Sequence, residues 1–102
     1  MSLAAFQAQG LTYAIAAGNA AVQVSTAGQQ GLYVANPNAQ AVFLAFGSSA
    51  VTAAAPTTAA PSTGLCLPAG RERTYSIPPG CYMAAATTGG AATVYATPGY
   101  GL

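Results

Sequence analysis

Few side chains in this sequence are suited to acid–base or nucleophilic chemistry. The titratable groups are one carboxylate (Glu72), two thiols (Cys66 and Cys81) and six phenols, and histidine is absent. A thiol nucleophile needs a neighbouring base to form the thiolate, and the chain has no imidazole to act as that base. Glu72 stands between Arg71 and Arg73, which favour a carboxylate over a proton-donating acid. We therefore expect a protein that is not an enzyme.

Metal, cofactor and nucleic-acid sites are not expected either. A Mg²⁺ or Ca²⁺ site uses several carboxylates and the chain has one, while the spacing of the two cysteines, without histidine, resembles no zinc motif. Gly89 and Gly90 are better explained as a turn than as a phosphate-binding loop, because they do not open a helix. Nucleic-acid binding generally needs many Lys or Arg contacts to phosphate, and two arginines paired with a glutamate cannot supply them.

The two cysteines have two interpretations. Buried free thiols at Cys66 and Cys81, acting as small hydrophobic side chains, are favoured because two cysteines are too few for the disulfide framework of a small secreted domain. One disulfide between them stays open as the alternative.

The scarcity of charge is the clearest signal in the composition. Only 3% of the 102 residues are charged, against about 25% in an ordinary soluble domain. The charged residues are consecutive, Arg71-Glu72-Arg73, and the net charge is +1. Dispersed charge keeps free proteins in solution, so we expect this chain to bind neighbours, although a small neutral monomer is the alternative. The triplet is either a solvated strand start or the place where a partner's carboxylates bind.

No segment is expected to cross a membrane. Long uncharged stretches occur, but Gln, Asn, Pro and Gly interrupt them too often for a spanning helix of about 20 apolar residues. Residues 1–7 lack the basic start of a secretory signal, so we expect synthesis in the cytoplasm.

The most concentrated apolar run, Ala41 to Gly47, predicts a central β-strand. It is too short for a stable helix and contains β-branched and aromatic residues. Val42 and Leu44 point to one face and Phe43 to the other, so both faces are apolar. Such a strand needs a cover on each face, either from a second sheet and a neighbouring loop or from another protein chain.

The rest of the chain also reads as short strands separated by Gly, Pro, Asn and Ser, which predicts one all-β domain over residues 1–102. About eight strands indicate a small antiparallel β-sandwich or jelly roll. Two hairpins are expected, one joining Leu32–Ala35 to the central strand through residues 36–40, the other joining residues 81–87 to 92–97. The other predicted strands are 11–17, 20–26, 50–54, 65–67 and 71–77, with an extended arm at 1–9, a surface loop at 55–64 and a turn-rich tail at 98–102.

From Gly31 onward the sequence resembles small β-sandwich proteins encoded among the head and tail genes of tailed bacteriophages. The shared pattern is V-x-N-P at Val34–Pro37, the run Ala41–Gly47, a Thr/Ala/Pro loop, L-P-A-G at Leu67–Gly70 and T-V-Y-A-T-P-G-Y-G at Thr93–Gly101. The resemblance implies a virion component, commonly a cement or decoration protein on the capsid surface, with the major capsid protein and copies of itself as partners. It implies no enzyme activity.

We therefore expect a capsid cement protein made in the bacterial host cytoplasm and carried on the virion. The alternatives are a carbohydrate-binding or host-adhesion module, for which the six tyrosines are suited, and a tail or baseplate component. The candidate partner-interface residues are the apolar anchors near the ends of the chain and the two arginines: Leu3, Phe6, Arg71, Arg73, Tyr100 and Leu102.

Overall fold

A computed structural model describes residues 7–8, 11–18, 20–25, 29–54, 62 and 64–100. All regular structure in these residues is β-strand, so the predicted all-β fold is confirmed. The strands are β1 (Gln7–Ala8), β2 (Tyr13–Ala16), β3 (Val22–Gln23), β4 (Gly31–Ala35), β5 (Val42–Gly47), β6 (Leu65–Leu67), β7 (Glu72–Ser76), β8 (Tyr82–Ala86) and β9 (Thr93–Tyr100).

These strands form two antiparallel sheets packed as a small β-sandwich. In sheet I, β1 and β2 lie end to end along one side of β9, and β4 and then β7 follow on its other side. In sheet II the order is β3, β8, β5, β6. The strands β7 and β6 are therefore the edges of sheets I and II on the side where the turn 68–71 joins them.

The core lies between the sheets and follows from the alternation of side chains along each strand. Because successive side chains point to opposite faces, every second residue of the long strands enters the space between the layers. Each such Val, Leu, Ile or Met contributes about 1.5–3 kcal/mol when fully buried. The largest fully buried aliphatic and Met side chains are Ile15, Leu32, Val34 and Val94 from sheet I, Val42, Leu44, Leu67 and Met83 from sheet II, and Val24 just after β3.

The predicted central strand is confirmed as β5, which lies between β8 and β6. Its second apolar face is covered by the chain's own connection to β6. A Cβ placed on Gly64 would lie 2.7 Å from Phe43 Cβ, and one placed on Gly47 would lie 3.3 Å from a Val51 methyl group. The strand predicted at 50–54 is wrong, because the described part of this connection lies over the sheet instead of pairing along its edge. Apart from Ser62 and Gly64, the predicted loop 55–64 lies outside the described residues.

Both predicted hairpins are wrong, although the chain does reverse at each turn. β4 belongs to sheet I and β5 to sheet II, and β8 and β9 are likewise in different sheets. Residues 36–41 and 87–92 therefore carry the chain from one layer to the other. A strand that is apolar on both faces, such as β5, buries more apolar surface when the other sheet packs on one face and a connecting segment covers the second. An isolated two-stranded hairpin would leave more of that surface in water.

The side chain of Asn36 ties the first of these crossings to its neighbours. Its Nδ2 donates to the carbonyl oxygens of Gln40 (3.0 Å), Leu67 (3.1 Å) and Pro68 (3.1 Å). Its Oδ1 accepts from the backbone N–H of Asn38 at 3.1 Å. This buried amide holds the end of β6 beside the end of β4, and so fixes where the turn into β7 begins.

Two further expectations need correction. The strand predicted at 20–26 is reduced to β3. Ser25, within the predicted range, is buried outside the strand, where its Oγ donates to Pro78 O and accepts from Cys81 N–H. The turn-rich tail is wrong at residues 98–100, which continue β9. Gln7 and Ala8 of the predicted arm pair with Tyr100 and Gly99, and residues 1–6 and 9 lie outside the described part.

Candidate partner-binding surfaces

The described residues enclose no pocket, and they contain no group of three His, Cys, Asp or Glu side chains placed to hold a metal ion. They also contain no helix that could span a bilayer. The surfaces on which these residues could bind a partner are therefore the open faces and edges of the sandwich.

The charged triplet lies at the edge of sheet I and is divided between the two faces of that sheet. Arg71 immediately precedes β7, and Glu72 and Arg73 are its first two residues; all three are exposed. Arg73 lies opposite the buried Val34, on the side that faces sheet II, whereas Glu72 lies opposite Ala35 on the outer side. The structure therefore separates the carboxylate from the neighbouring Arg73 by the thickness of the strand.

The sandwich is open along the side formed by its edge strands β6 and β7. Leu65 of β6 belongs to the face of sheet II that points toward the core, yet it is 51% exposed because no further strand covers it in the described chain. Tyr75 of β7 is half-buried, and its ring centroid lies 5.3 Å from that of Phe46. We call these four residues, Phe46, Leu65, Arg73 and Tyr75, the β6–β7 seam.

The electrostatics of the seam reflect its partial burial. Burial raises the pKa of the Tyr75 phenol, the positive charge of Arg73 opposes that rise, and the Cys66 thiolate adds to it. The seam thus combines an apolar surface, one phenol and one permanent positive charge.

The thiols are both free, which removes the disulfide alternative. Cys81 is buried, as predicted, and burial raises its pKa. Cys66 is exposed on β6, so the prediction of a buried thiol is wrong there. Because β6 is an edge strand and the Cys66 side chain points away from the core, solvent reaches this thiol.

The outer face of sheet I is a second open surface, with different chemistry. Tyr95 is 44% exposed on this face, and the half-buried Tyr33 lies diagonally across from it on β4. Thr97 is directly opposite Tyr33, and its hydroxyl is 2.8 Å from that of Thr12. This face carries aromatic rings and hydroxyl groups, with Glu72 as its charged residue among the described strands.

The predicted interface residues that the structure describes lie at two different places on sheet I. Arg71 and Arg73 lie at the β7 edge of sheet I, whereas the backbone of Tyr100 pairs with Gln7 of β1 along the opposite side of that sheet. The side chain of Tyr100 and the predicted residues Leu3, Phe6 and Leu102 lie outside the described part of the chain. Sequence reasoning missed Leu65, Phe46 and Tyr75 as a surface, since each reads as core until the sheet order is known.

No protein-family model, curated protein or solved structure matches this chain.

Proposed function

We propose that the chain is a non-enzymatic structural protein of a tailed-phage virion. In this proposal it is a cement or decoration protein that is made in the bacterial cytoplasm and binds the outside of the head shell. Its partners there are the major capsid protein and further copies of itself, with no cofactor, nucleic acid or membrane.

The observation that carries the proposal is the distribution of charge over a sandwich of this size. All three charged side chains of the protein lie at one strand of one edge, and the remaining faces are neutral. A surface of that kind has little repulsion to keep copies apart and little Coulomb attraction to recruit partners. Binding free energy must then come from apolar burial and from hydrogen bonds at strand edges. A crowded, immobile lattice of neighbours suits such a surface better than free solution does.

The proposal is tested on phage heads purified after deletion of this gene. Purified protein should co-sediment with these heads at a saturating copy number and raise the temperature at which they release DNA. Absence of co-sedimentation over a micromolar concentration range would refute the proposed function. Electron microscopy of labelled particles decides between a head location and the tail or baseplate alternative.

A carbohydrate-binding function is the second candidate, and one observation favours it. Tyr95 and Tyr33 lie diagonally on the flat outer face of sheet I, with threonine hydroxyls beside them. Sugars stack on exposed aromatic rings and accept hydrogen bonds from neighbouring hydroxyl groups. A glycan array tests this function directly: binding that is lost in Tyr95→Ala would support it, and no binding by the parent protein would remove it.

A further inference from the structure

We infer that the β6–β7 seam is the surface that receives an extended segment of a different protein, which places an apolar side chain against Leu65 and Tyr75 and a carboxylate against Arg73. The inference rests on the proposed function, in which that protein is the shell subunit. It assigns the contact to one side of the sandwich.

The two edge strands at the seam differ in how well they are protected from pairing with another chain. An edge strand presents unpaired N–H and C=O groups that can pair with another chain, and charged side chains are a common means of blocking this. Arg71, Glu72 and Arg73 place such charges at β7. β6 has the uncharged sequence Leu65-Cys66-Leu67 and, among the described strands, pairs with β5 alone. β6 is therefore the receptive edge, and three residues of strand offer about 10 Å for pairing.

The side chains beside that edge favour an apolar residue in the bound segment. Leu65 has 51% of its surface in solvent although it belongs to the core face of its sheet. Tyr75 is half-buried and stacks at a tilt of 50° on Phe46. An added strand along β6 would cover Leu65 and extend the core sideways, which removes apolar surface from water at about 25 cal/mol per Å².

The charge at the seam favours a different protein over a second copy of this chain as the occupant. Arg73 lies on the core-facing side of β7, where a bound segment would meet it. The one acidic side chain of this protein, Glu72, is on the other side of the same strand. Two seams brought together would add a second arginine and no acidic side chain, which leaves Arg73 without a complementary charge. An Asp or Glu in an extended segment of another protein would supply the carboxylate that complements Arg73.

The test compares the affinities of four variants and the parent for gene-deleted heads. Leu65→Glu places a negative charge in the seam, and Arg73→Gln removes its positive charge. The matched controls are Leu11→Glu, which changes a leucine that is 70% exposed outside the seam, and Glu72→Gln, which changes the opposite face of β7. Thermal unfolding of each variant checks that the fold is retained, and Arg73→Lys supplies a conservative replacement.

We expect Leu65→Glu to bind heads about tenfold or more weakly and Arg73→Gln about fivefold more weakly, with both controls within about twofold of the parent and Arg73→Lys intermediate. Equal binding by all variants would overturn the inference and leave the proposed function standing. A parent that does not bind heads refutes the function itself and the inference with it. If Leu65→Glu instead converts a dimer of the free protein to a monomer, the occupant is a second copy and the assignment to a different protein is wrong.

Discussion

The ring of Phe46 lies 5.3 Å from the ring of Tyr75, centroid to centroid, and this pair closes the sandwich at the side where both sheets end. Phe46 belongs to β5 of sheet II and Tyr75 to β7 of sheet I, so the contact crosses from one layer to the other. Leu65 of β6 and Arg73 of β7, on the two neighbouring edge strands, are both exposed. The same pair therefore ends the core and begins the proposed binding seam.

The burial of Tyr75 predicts that ionisation of its phenol lowers the free energy of unfolding at alkaline pH. Its pKa is raised above the ordinary value of about 10, so the phenol contributes stability below that pH, and the contribution is lost as pH rises through the folded-state pKa. We expect the free energy of unfolding to fall more steeply above pH 10 in the parent than in Tyr75→Phe. Urea unfolding at several pH values measures this difference, and parallel curves would contradict it.

Gly64 is predicted to be a position where no side chain is accepted. A Cβ there would lie 2.6 Å from the carbonyl oxygen of Ala54 and 2.7 Å from Phe43 Cβ, so the backbone over β5 would have to move. We expect Gly64→Ala to lower the free energy of unfolding by about 1–3 kcal/mol. Gly89→Ala is the control, because nothing lies within 4 Å of its added Cβ. Equal stability of the two variants in denaturant titrations would show that the connection does not pack on β5.

Removing the side-chain amide of Asn36 should destabilise the segment that connects β4 of sheet I to β5 of sheet II. Asn36→Ala leaves the carbonyl groups of Leu67 and Pro68 without this donor, and we expect a cost of about 2–4 kcal/mol. Gln40→Ala removes a hydrogen bond to Ala91 O at an exposed position and should cost under about 1 kcal/mol. Thermal unfolding of both variants measures this difference. If Asn36→Ala lowers stability no more than Gln40→Ala does, the Asn36 amide does not hold the crossing segment in place.

The two thiols are predicted to react at very different rates. Cys66 is exposed, whereas Cys81 is buried and its pKa is raised by that burial, so it has less thiolate at any pH near 8. A thiol-specific reagent should label one cysteine per native chain rapidly and the second one only after denaturation. Cys66→Ser should abolish the rapid phase, and a rapid phase that survives this substitution would mean that Cys81 is accessible.

The strands themselves were largely predictable from local sequence. The alternation of Val42, Leu44 and Phe46 with a second apolar set identified β5, and Leu65–Leu67 was predicted with the bounds that the structure shows. Periodicity is a local property and the side-chain period of a strand is 2, so both follow from neighbouring residues.

The arrangement of strands into layers was not predictable in this way. The turn at Asn36–Gln40 reverses the chain, but whether the next strand pairs or crosses to the other sheet depends on residues far away, such as Leu67. Pro98 shows the same limit, because proline usually ends a strand. Here it pairs with Leu32 on one side, and on the other it falls where the described pairing of β9 passes from β2 to β1, so its missing N–H costs little.

For the candidate site, the two arginines were predictable because they are the protein's entire positive side-chain charge. Arg73 and Glu72 lie on opposite sides of β7 because successive side chains of a strand alternate, and this separation follows from the sequence once the strand is identified. The exposure of Leu65 was not visible, since it results from β6 being the last strand of its sheet.

The central claim is that this protein binds the head shell through apolar and backbone contacts, and salt dependence of binding tests it most directly. At 1 M NaCl the Debye length is about 3 Å, so interactions between exposed charges are almost fully screened. We predict that the affinity of the protein for gene-deleted heads, measured by co-sedimentation from 0.05 to 1 M NaCl, changes by no more than about tenfold. Release of the protein from heads at 1 M NaCl would contradict the account.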